Sequence, residues 1–389
     1  MTPCIPLSLV GLLLLSQCSS ESAGPSVEVL TKKNADFAAQ LYRAVSSRTD
    51  DNVFLSTFTL SAGLLALVSA TNGPTQEQLL QGLSLTGLDP QTLPDLFQNL
   101  RSLVTNLRQG VAVFPAQGFL VSSSYLDLVQ TKFGGKAQSL AYTMPQEATD
   151  TINSWAQEST GDQVQELVTN LDPNTQLLLA TTAFYKAQFS PSFNASFTQD
   201  ERFYMGRYHV VMVPMMFRAD KYFLAYDGLV KVGVLKLPMV GGAAMLVLLP
   251  DEGVDVTAVE DEVTGEKIQT WIRQLKRTKL EVQLPRFLLE RSYSLRDVLQ
   301  TLNIKQVFQE DADISNMGGA DGLKLTQVYH KSVVSVDESS DDIITGGEAS
   351  TPSTLPPRLT INRPFIFIIY QQTSGCVLSM GRVIDPSRK

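Results

Sequence analysis

The chain has 389 residues, 43% hydrophobic, 18% charged and 8% aromatic, with Gly 25 and Pro 19. That composition excludes a disordered chain, a coiled coil and a collagen-like or proline-rich repeat. Lys+Arg 31 against Asp+Glu 39 leaves a net charge of −8, the wrong balance for a nucleic-acid-binding domain.

In chain order, residues 5–15 are apolar over the length of a secretory leader's core, and Ser16, Cys18, Ser19 and Ser20 follow. Cleavage is expected between Cys18 and Gly24, with 1–20 as the leader. The run is too short to span a bilayer, which takes ~20 residues. The chain therefore reads as secreted and extracellular. Processing leaves Cys376 alone, so no disulfide framework forms, and its apolar strand setting makes it a buried small hydrophobe. Asn194-Ala195-Ser196 is a glycosylation sequon.

Residues 21–33 are polar and read as a tail. Phe37, Leu41, Ala44 and Val45 recur at helical spacing, which predicts an amphipathic helix over 34–48. A short strand is expected at 52–55, then a buried helix over 59–69, apolar nearly all round. Thr75, with Gln78 three residues on, predicts a capped helix start. Further helices fit 93–108, 124–133 and 146–158. Strands fit 176–186 and 208–217, and 230–237 with 243–249 form a hairpin across Gly241-Gly242. A basic helix over 267–279 interrupts them. Strands return at 280–288, 325–336, 358–370 and 376–383. Helices first and strands later, without βαβ alternation, give an α+β fold with a large mostly antiparallel sheet. A single domain spans 34–389. Between two strands, 338–357 reads ESSDDIITGGEASTPSTLPP, a long loop of the kind that is functional.

Catalytic signatures are missing. The only histidines are His209 and His330, and no nucleophile elbow, zinc-binding HExxH or phosphate-binding glycine loop occurs. His330 sits mid-strand and reads as a hydrogen-bonded core histidine. Asp337, Ser339, Asp341 and Glu348 imitate a calcium loop, but Asp342 stands where its sharp turn needs Gly. No metal, cofactor or enzymatic activity is expected. Arg273, Lys276, Arg277 and Lys279 cluster on the basic helix: either a solvated face or a polyanion site.

The run from Leu359 to Ile369, LTINRPFIFII, fits the serpin signature at every position. Asn52-Val53-Phe54-Leu55-Ser56, Gly73-Pro74-Thr75-Gln76, Ile152-Asn153-Ser154-Trp155 and Val213-Pro214-Met215-Met216 resemble further family motifs in the family's order. So do Leu284-Pro285-Arg286-Phe287, Ala312-Asp313-Ile314-Ser315 and His330-Lys331. Segments 73–75, 93–108, 234–238, 270–273 and 369–375 place the nearest likeness in the secreted clade A branch.

The resemblance implies helices packed on a large central sheet, two smaller sheets and an exposed reactive loop, here 338–357. It implies a serine-protease inhibitor that works as a suicide substrate. The protease cleaves the loop and forms an acyl-enzyme, and the loop then inserts as an extra strand into the central sheet. It also implies a monomer with no membrane or nucleic-acid partner, and weak heparin or a plasma cofactor protein as auxiliary partners.

The hinge Glu338, Ser339, Ser340, Asp341, Asp342, Ile343 departs from the family's pattern of Gly and small residues. Ser340 replaces Gly, Asp341 an inward-facing Thr, and Ile343 an inward-facing Ala. Burying a lone carboxylate is costly, and this motivates a second reading: a non-inhibitory carrier, ligand or signalling serpin. The reactive bond falls at Ser353-Thr354 counted back from Pro356-Pro357, or at Thr354-Leu355 counted forward from Glu338. Either offers a small primary side chain. In the shutter and breach that the loop must open, the resemblance assigns Ser56, Thr59, Thr182, Phe189 and His330. Thr57 stands for the family's Pro, Thr182 for its Asn and Phe189 for its Trp.

Overall fold

The computed structural model describes residues 26–319, 322–338 and 356–389. In chain order the helices and strands are α1 Val27–Ser46, β1 Val53–Leu55, α2 Thr57–Ala70, α3 Gly73–Gly82, α4 Leu93–Ser102, β2 Leu107–Pro115, α5 Ser123–Phe133, β3 Lys136–Ala137, α6 Pro145–Thr160, β4 Leu177–Ala187, β5 Gln199–Gly206, β6 His209–Asp227, β7 Val232–Pro238, β8 Ala243–Pro250, α7 Val256–Glu262, α8 Gly265–Gln274, β9 Lys276–Pro285, β10 Phe287–Ser294, α9 Arg296–Thr301, β11 Gln327–Val336, β12 Arg358–Thr360, β13 Phe365–Gln371 and β14 Val377–Val383.

Two sheets emerge among the described residues. The smaller has the order β10-β11-β4-β2-β3. Within it β11 runs parallel to β4 over ten residue pairs, Gln327↔Leu178 to Val336↔Ala187, while β10–β11 and β2–β4 are antiparallel. The larger has the order β1-β14-β13-β8-β7-β6-β9-β12, with β5 paired to β6. The 19-residue β6 joins two smaller sheets into this path, pairing first with β5, then with β9, and at its end with β7.

The buried helix α2 lies between the sheets, touching β14 on one side and β2 and β4 on the other. An all-round apolar helix is stable only in such a place. On the opposite face of the smaller sheet a second core forms under α6. Ile152 and Trp155 pack there with Phe114, Leu178, Ala180 and Val333, and the Trp155 ring meets Phe114 edge-on at 5.8 Å. Asn153 of the Ile-Asn-x-Trp motif straps the return of the chain to this core: its Oδ1 accepts from Leu167 N (2.9 Å) and Val168 N (3.0 Å).

Four expectations change. The polar stretch expected as a tail is helical from Val27, with Ser26 capping Val29 N. The helical spacing over 93–108 ends at Ser102, because Asn106 adopts φ 62° and its side chain donates to Val240 O (3.0 Å). The chain then enters β2, which helix spacing through Leu103 and Leu107 conceals. The basic helix stops at Gln274: Leu275 is extended, and Lys276 begins a strand paired with β6 over ten positions. Lys276, Arg277 and Lys279 are strand residues. Finally, Thr75 and Gln78 cap no helix start. Thr75 Oγ1 accepts from Asp313 N (3.0 Å) and Gln78 Oε1 from Lys305 N (2.6 Å), so both tie α3 to a distant segment.

Candidate functional site: the β11–β4 seam and the loop anchors

The middle of the parallel seam between β11 and β4 carries polar side chains in a dry interior. His330 is fully buried. Its Nε2 accepts from Ser56 N at 3.1 Å, and its Nδ1 lies 2.9 Å from Thr181 Oγ1. An acceptor at Nε2 leaves the proton on Nδ1, which therefore donates to Thr181. Thr181 Oγ1 in turn reaches Tyr329 O at 3.3 Å. Burial lowers the imidazole pKa to about 3, opposed in part by hydrogen bonding to Thr181, so the ring is neutral. Tyr293 stacks on it, centroids 6.4 Å apart.

From His330 the network continues under the sheet. Ser56 Oγ and Thr59 Oγ1 are 2.8 Å apart, Thr59 donates to Gln109 Oε1 (2.8 Å), and Ser332 donates to Phe54 O (2.8 Å). Thus the start of α2 is stitched to β2 and β11, and through His330 to β4. Thr57 occupies the first helical position of α2, where Pro is pre-organised, and its hydroxyl reaches Leu378 O at 3.5 Å.

Strand alternation corrects one assignment. Side chains of successive strand residues point to opposite faces. Thr181 faces His330, so Thr182 faces away, toward α6, where its Oγ1 lies 2.9 Å from Ser159 Oγ. Of the two, Thr181 and not Thr182 is the residue that meets His330. Sequence inspection missed Thr181, Tyr293 and Gln109, and only the pairing Thr181↔His330 reveals the first of them.

Glu338, the first loop residue, is clamped. Arg286 of the Leu-Pro-Arg-Phe motif donates from Nε to Oε2 (2.9 Å) and from Nη2 to Oε1 (2.7 Å), and Thr198 Oγ1 also donates to Oε1. The Glu338 side chain is 7% exposed. Desolvation pushes its pKa up, but the hydrogen bonds from Arg286 and Thr198 outweigh that and hold it below the usual value. Phe189 sits two residues beyond Ala187, the last β4 partner of β11. It is buried, edge-on to Phe193 at 5.3 Å. At the far anchor Pro357 O accepts from Glu281 N (3.0 Å), and Arg358 binds Glu281 (2.8 Å). The hinge residues Ser339, Ser340, Asp341, Asp342 and Ile343, and the reactive-bond candidates Ser353, Thr354 and Leu355, lie outside the described residues.

Asn194 opens a short 3-10 turn, its Oδ1 accepting from Ser196 N (2.9 Å), with Ser196 exposed. Cys376 is buried, and burial pushes its thiol pKa up, which suits packing rather than reactivity. Among the described residues no group of His, Cys, Asp or Glu is arranged to hold a metal, and no helix is long and apolar enough to cross a membrane.

Comparison with known proteins agrees with this geometry. The family model for serpins (serine protease inhibitors) matches residues 32–386. Human protein Z-dependent protease inhibitor is 31% identical over 372 residues, covering 93% of this chain and 84% of the relative. The crystal structure of the mouse protein-Z dependent protease inhibitor superposes with a TM-score of 0.86 at 31% identity, covering 92% of this chain and 98% of that one. Human thyroxine-binding globulin complexed with thyroxine superposes at 0.85 with 27% identity, covering 93% and 100%.

Proposed function

From the premise that this chain belongs to the serpin family, we propose that it is a secreted serine-protease inhibitor, not an enzyme, and acts as a suicide substrate through its 338–357 loop. The observation that supports this is the seam itself. β11 and β4 are parallel neighbours, and the loop leaves the end of β11. A strand returning from that end between them would run antiparallel to both, exchanging one parallel interface for two antiparallel ones. At its middle the seam is crossed by an exchangeable hydrogen bond between Thr181 and His330, set among apolar pairs such as Val328–Leu179 and Val336–Ala187.

The small residues at Ser353-Thr354 or Thr354-Leu355 suit a serine protease with a small primary pocket, and Asn194 on its turn suits glycan attachment. The test is incubation with an elastase-type protease, scored for a complex that survives denaturing electrophoresis. Cleavage at 353–355 without such a complex would sink the inhibitor reading. A specific feature favours the alternative in that case. Ser340, Asp341 and Ile343 put polarity and bulk where insertion needs small side chains, and the structural relative thyroxine-binding globulin is solved with bound thyroxine. The non-inhibitory reading then stands, with a carrier role to examine.

A further inference from the structure

We propose that Asn72 is a chemical modification site: its side chain closes on the Gly73 backbone and is converted, without an enzyme, to aspartate and isoaspartate, at a rate set by the 313–316 turn. The inference is independent of whether the loop inserts.

Asn72-Gly73 is the one Asn-Gly pair in the chain. In the reaction the Gly73 amide nitrogen attacks Asn72 Cγ. A C–N bond forms, the Cγ–Nδ2 bond breaks, and Nδ2 leaves as ammonia carrying the amide proton. Water then opens the five-membered imide at either carbonyl. One opening leaves aspartate, and the other leaves isoaspartate, which lengthens the backbone by a carbon. No oxidant, reductant or metal enters the balance. A following glycine favours the attack, because no Cβ crowds the nitrogen.

The nucleophile stands ready. Gly73 is the first residue of α3, where a backbone N–H has no intrahelical acceptor. It is exposed, with φ 50°, and a Cβ placed there would meet nothing within 4 Å. The electrophile is held back. Asn72 is half-buried; its Nδ2 donates to Ser315 Oγ (2.8 Å) and its Oδ1 accepts from Asn316 Nδ2 (2.8 Å). Asn72 N donates to Asp313 O (3.2 Å), and Asn316 Nδ2 also donates to Thr71 O (3.1 Å). Ring closure needs Cβ and the Gly73 nitrogen nearly eclipsed about the Cα–C bond, and the extended ψ of 170° keeps them apart. The reaction therefore waits for a local opening in which the turn releases the side chain.

Conversion makes that release permanent. Aspartate has no Nδ2 to give Ser315, and its charge falls beside the Asp313 carboxylate, which already accepts from Ser315 N (3.1 Å) and Oγ (2.6 Å). Isoaspartate adds a carbon to the link between α2 and α3. Asp227-Gly228 provides the contrast. Its carboxylate accepts from Trp271 Nε1 (2.9 Å), Lys267 Nζ (3.3 Å), Leu229 N (3.1 Å) and Val230 N (3.2 Å). These bonds favour the ionised form, which is a poor electrophile.

The experiment incubates the full chain at physiological temperature and mildly alkaline pH, native and in urea. Mass spectrometry follows the peptide holding Asn72, and methyltransferase labelling identifies isoaspartate. In urea Asn72 should outpace the other asparagines roughly tenfold, and folding should slow it by a factor of about ten or more. Ser315→Ala with Asn316→Ala should raise the native rate roughly tenfold and leave the rate in urea unchanged. Gly73→Ala, read in urea where strain at φ 50° cannot act, should slow conversion roughly tenfold. Asp227 should stay unconverted in the native chain. Conversion of Asn72 in urea no faster than that of the other asparagines would overturn the site. Equal wild-type rates in native and urea solution, a comparison that needs no variant, would overturn the gating. So would a folded double variant that reacts no faster than wild type.

Discussion

The two interiors of this molecule are built to opposite specifications. In the larger sheet β13 reads FIFIIYQ and is buried at every position, and its neighbour β14 is buried throughout as well. Phe367 stacks on Phe54 and packs against Phe287. In the smaller sheet the largely buried β11 carries His330, Lys331 and Ser332 in succession, with His330 and Lys331 in register with Thr181 and Thr182 of β4. Apolar packing at crystal-like density has one good arrangement and loses contacts steeply when it parts. A hydrogen-bonded seam can part if new partners arrive with the intruding strand, because the net worth of each bond is only ~0.5–1.5 kcal/mol. Under the proposed mechanism one sheet is a foundation and the other a door.

The foundation has its own buried charge. Arg382 on β14 pairs with Glu260 of α7 at 2.8 Å, and Glu260 accepts from Tyr42 of α1 at 2.5 Å. Arg382 also donates to Asp51 O (3.0 Å) and to Thr49 O. Burial raises the Glu260 pKa against the hydrogen bonds from Tyr42 and Arg382. Removing one member leaves a buried charge alone, so Glu260→Ala should cost ~3–5 kcal/mol of unfolding stability. This is the largest effect expected of any single substitution considered. It should leave the partition between trapping and substrate cleavage unchanged, since the seam is not involved. A loss below ~1 kcal/mol in a urea titration, or a changed partition, would erase the division between the two regions.

The converse substitution falls in the loop, and its expected effect is on insertion. If even ~3 kcal/mol of the cost of burying Asp341 falls on the insertion barrier, insertion slows by roughly a hundredfold. Asp341→Thr with Ile343→Ala should restore most of that factor. The measure is the share of protease trapped per loop cleaved, together with the gain in melting temperature after nicking. Burial disfavours a charged carboxylate, so under the proposed insertion, trapping should rise as pH falls from 7 to 5. Native melting should not move. Equal trapping by wild type and the double variant would show that the hinge is no obstacle.

His330 titrates in the opposite sense. Its folded pKa of about 3 lies below the unfolded value near 6.5, so the unfolded chain binds the extra proton between those limits. The stability it allows is complete above about pH 6.5 and falls as pH drops, by ~2 kcal/mol at pH 5. His330→Gln should flatten that part of the stability–pH curve. A curve of unchanged slope would mean the imidazole is not held neutral in the native state.

Much of this could be read from the chain. Alternation and length mark β11, the β7–β8 hairpin and the apolar α2, and the motif residues find their reasons in the structure. Asn52 ties β1 to the chain end through Asp385 O at 2.7 Å, and Arg286 holds Glu338. The failures share a cause. Leu103 and Leu107 keep helical spacing across a left-handed Asn106, and the cations from 273 to 279 look like one helix face although a strand begins at Lys276. A local pattern does not register a change of period when both periods place the same residues acceptably. The Arg286–Glu338 clamp joins positions 52 apart, which no local pattern encodes.

The smallest expected effect separates two adjacent threonines. Thr181 and Thr182 have the same side chain on the same strand and both are fully buried, so composition and burial cannot distinguish them. Their partners do. Thr181 Oγ1 meets His330 Nδ1 and Tyr329 O, so Thr181→Val strands the Nδ1 proton in a dry interior and should cost ~1–3 kcal/mol. Thr182 Oγ1 meets Ser159 Oγ, but Ser159 also donates to Ala156 O at 3.0 Å and keeps a partner when Thr182 is lost. Thr182→Val should therefore cost no more than ~0.5–1 kcal/mol, the worth of one ordinary hydrogen bond. The substitutions differ in a second respect. Only Thr181→Val touches the His330 network, so only it should alter the stability–pH curve below pH 6.5. If Thr182→Val moves that curve and Thr181→Val does not, the strand faces outward where it is described as facing in, and the shutter must be rebuilt around position 182.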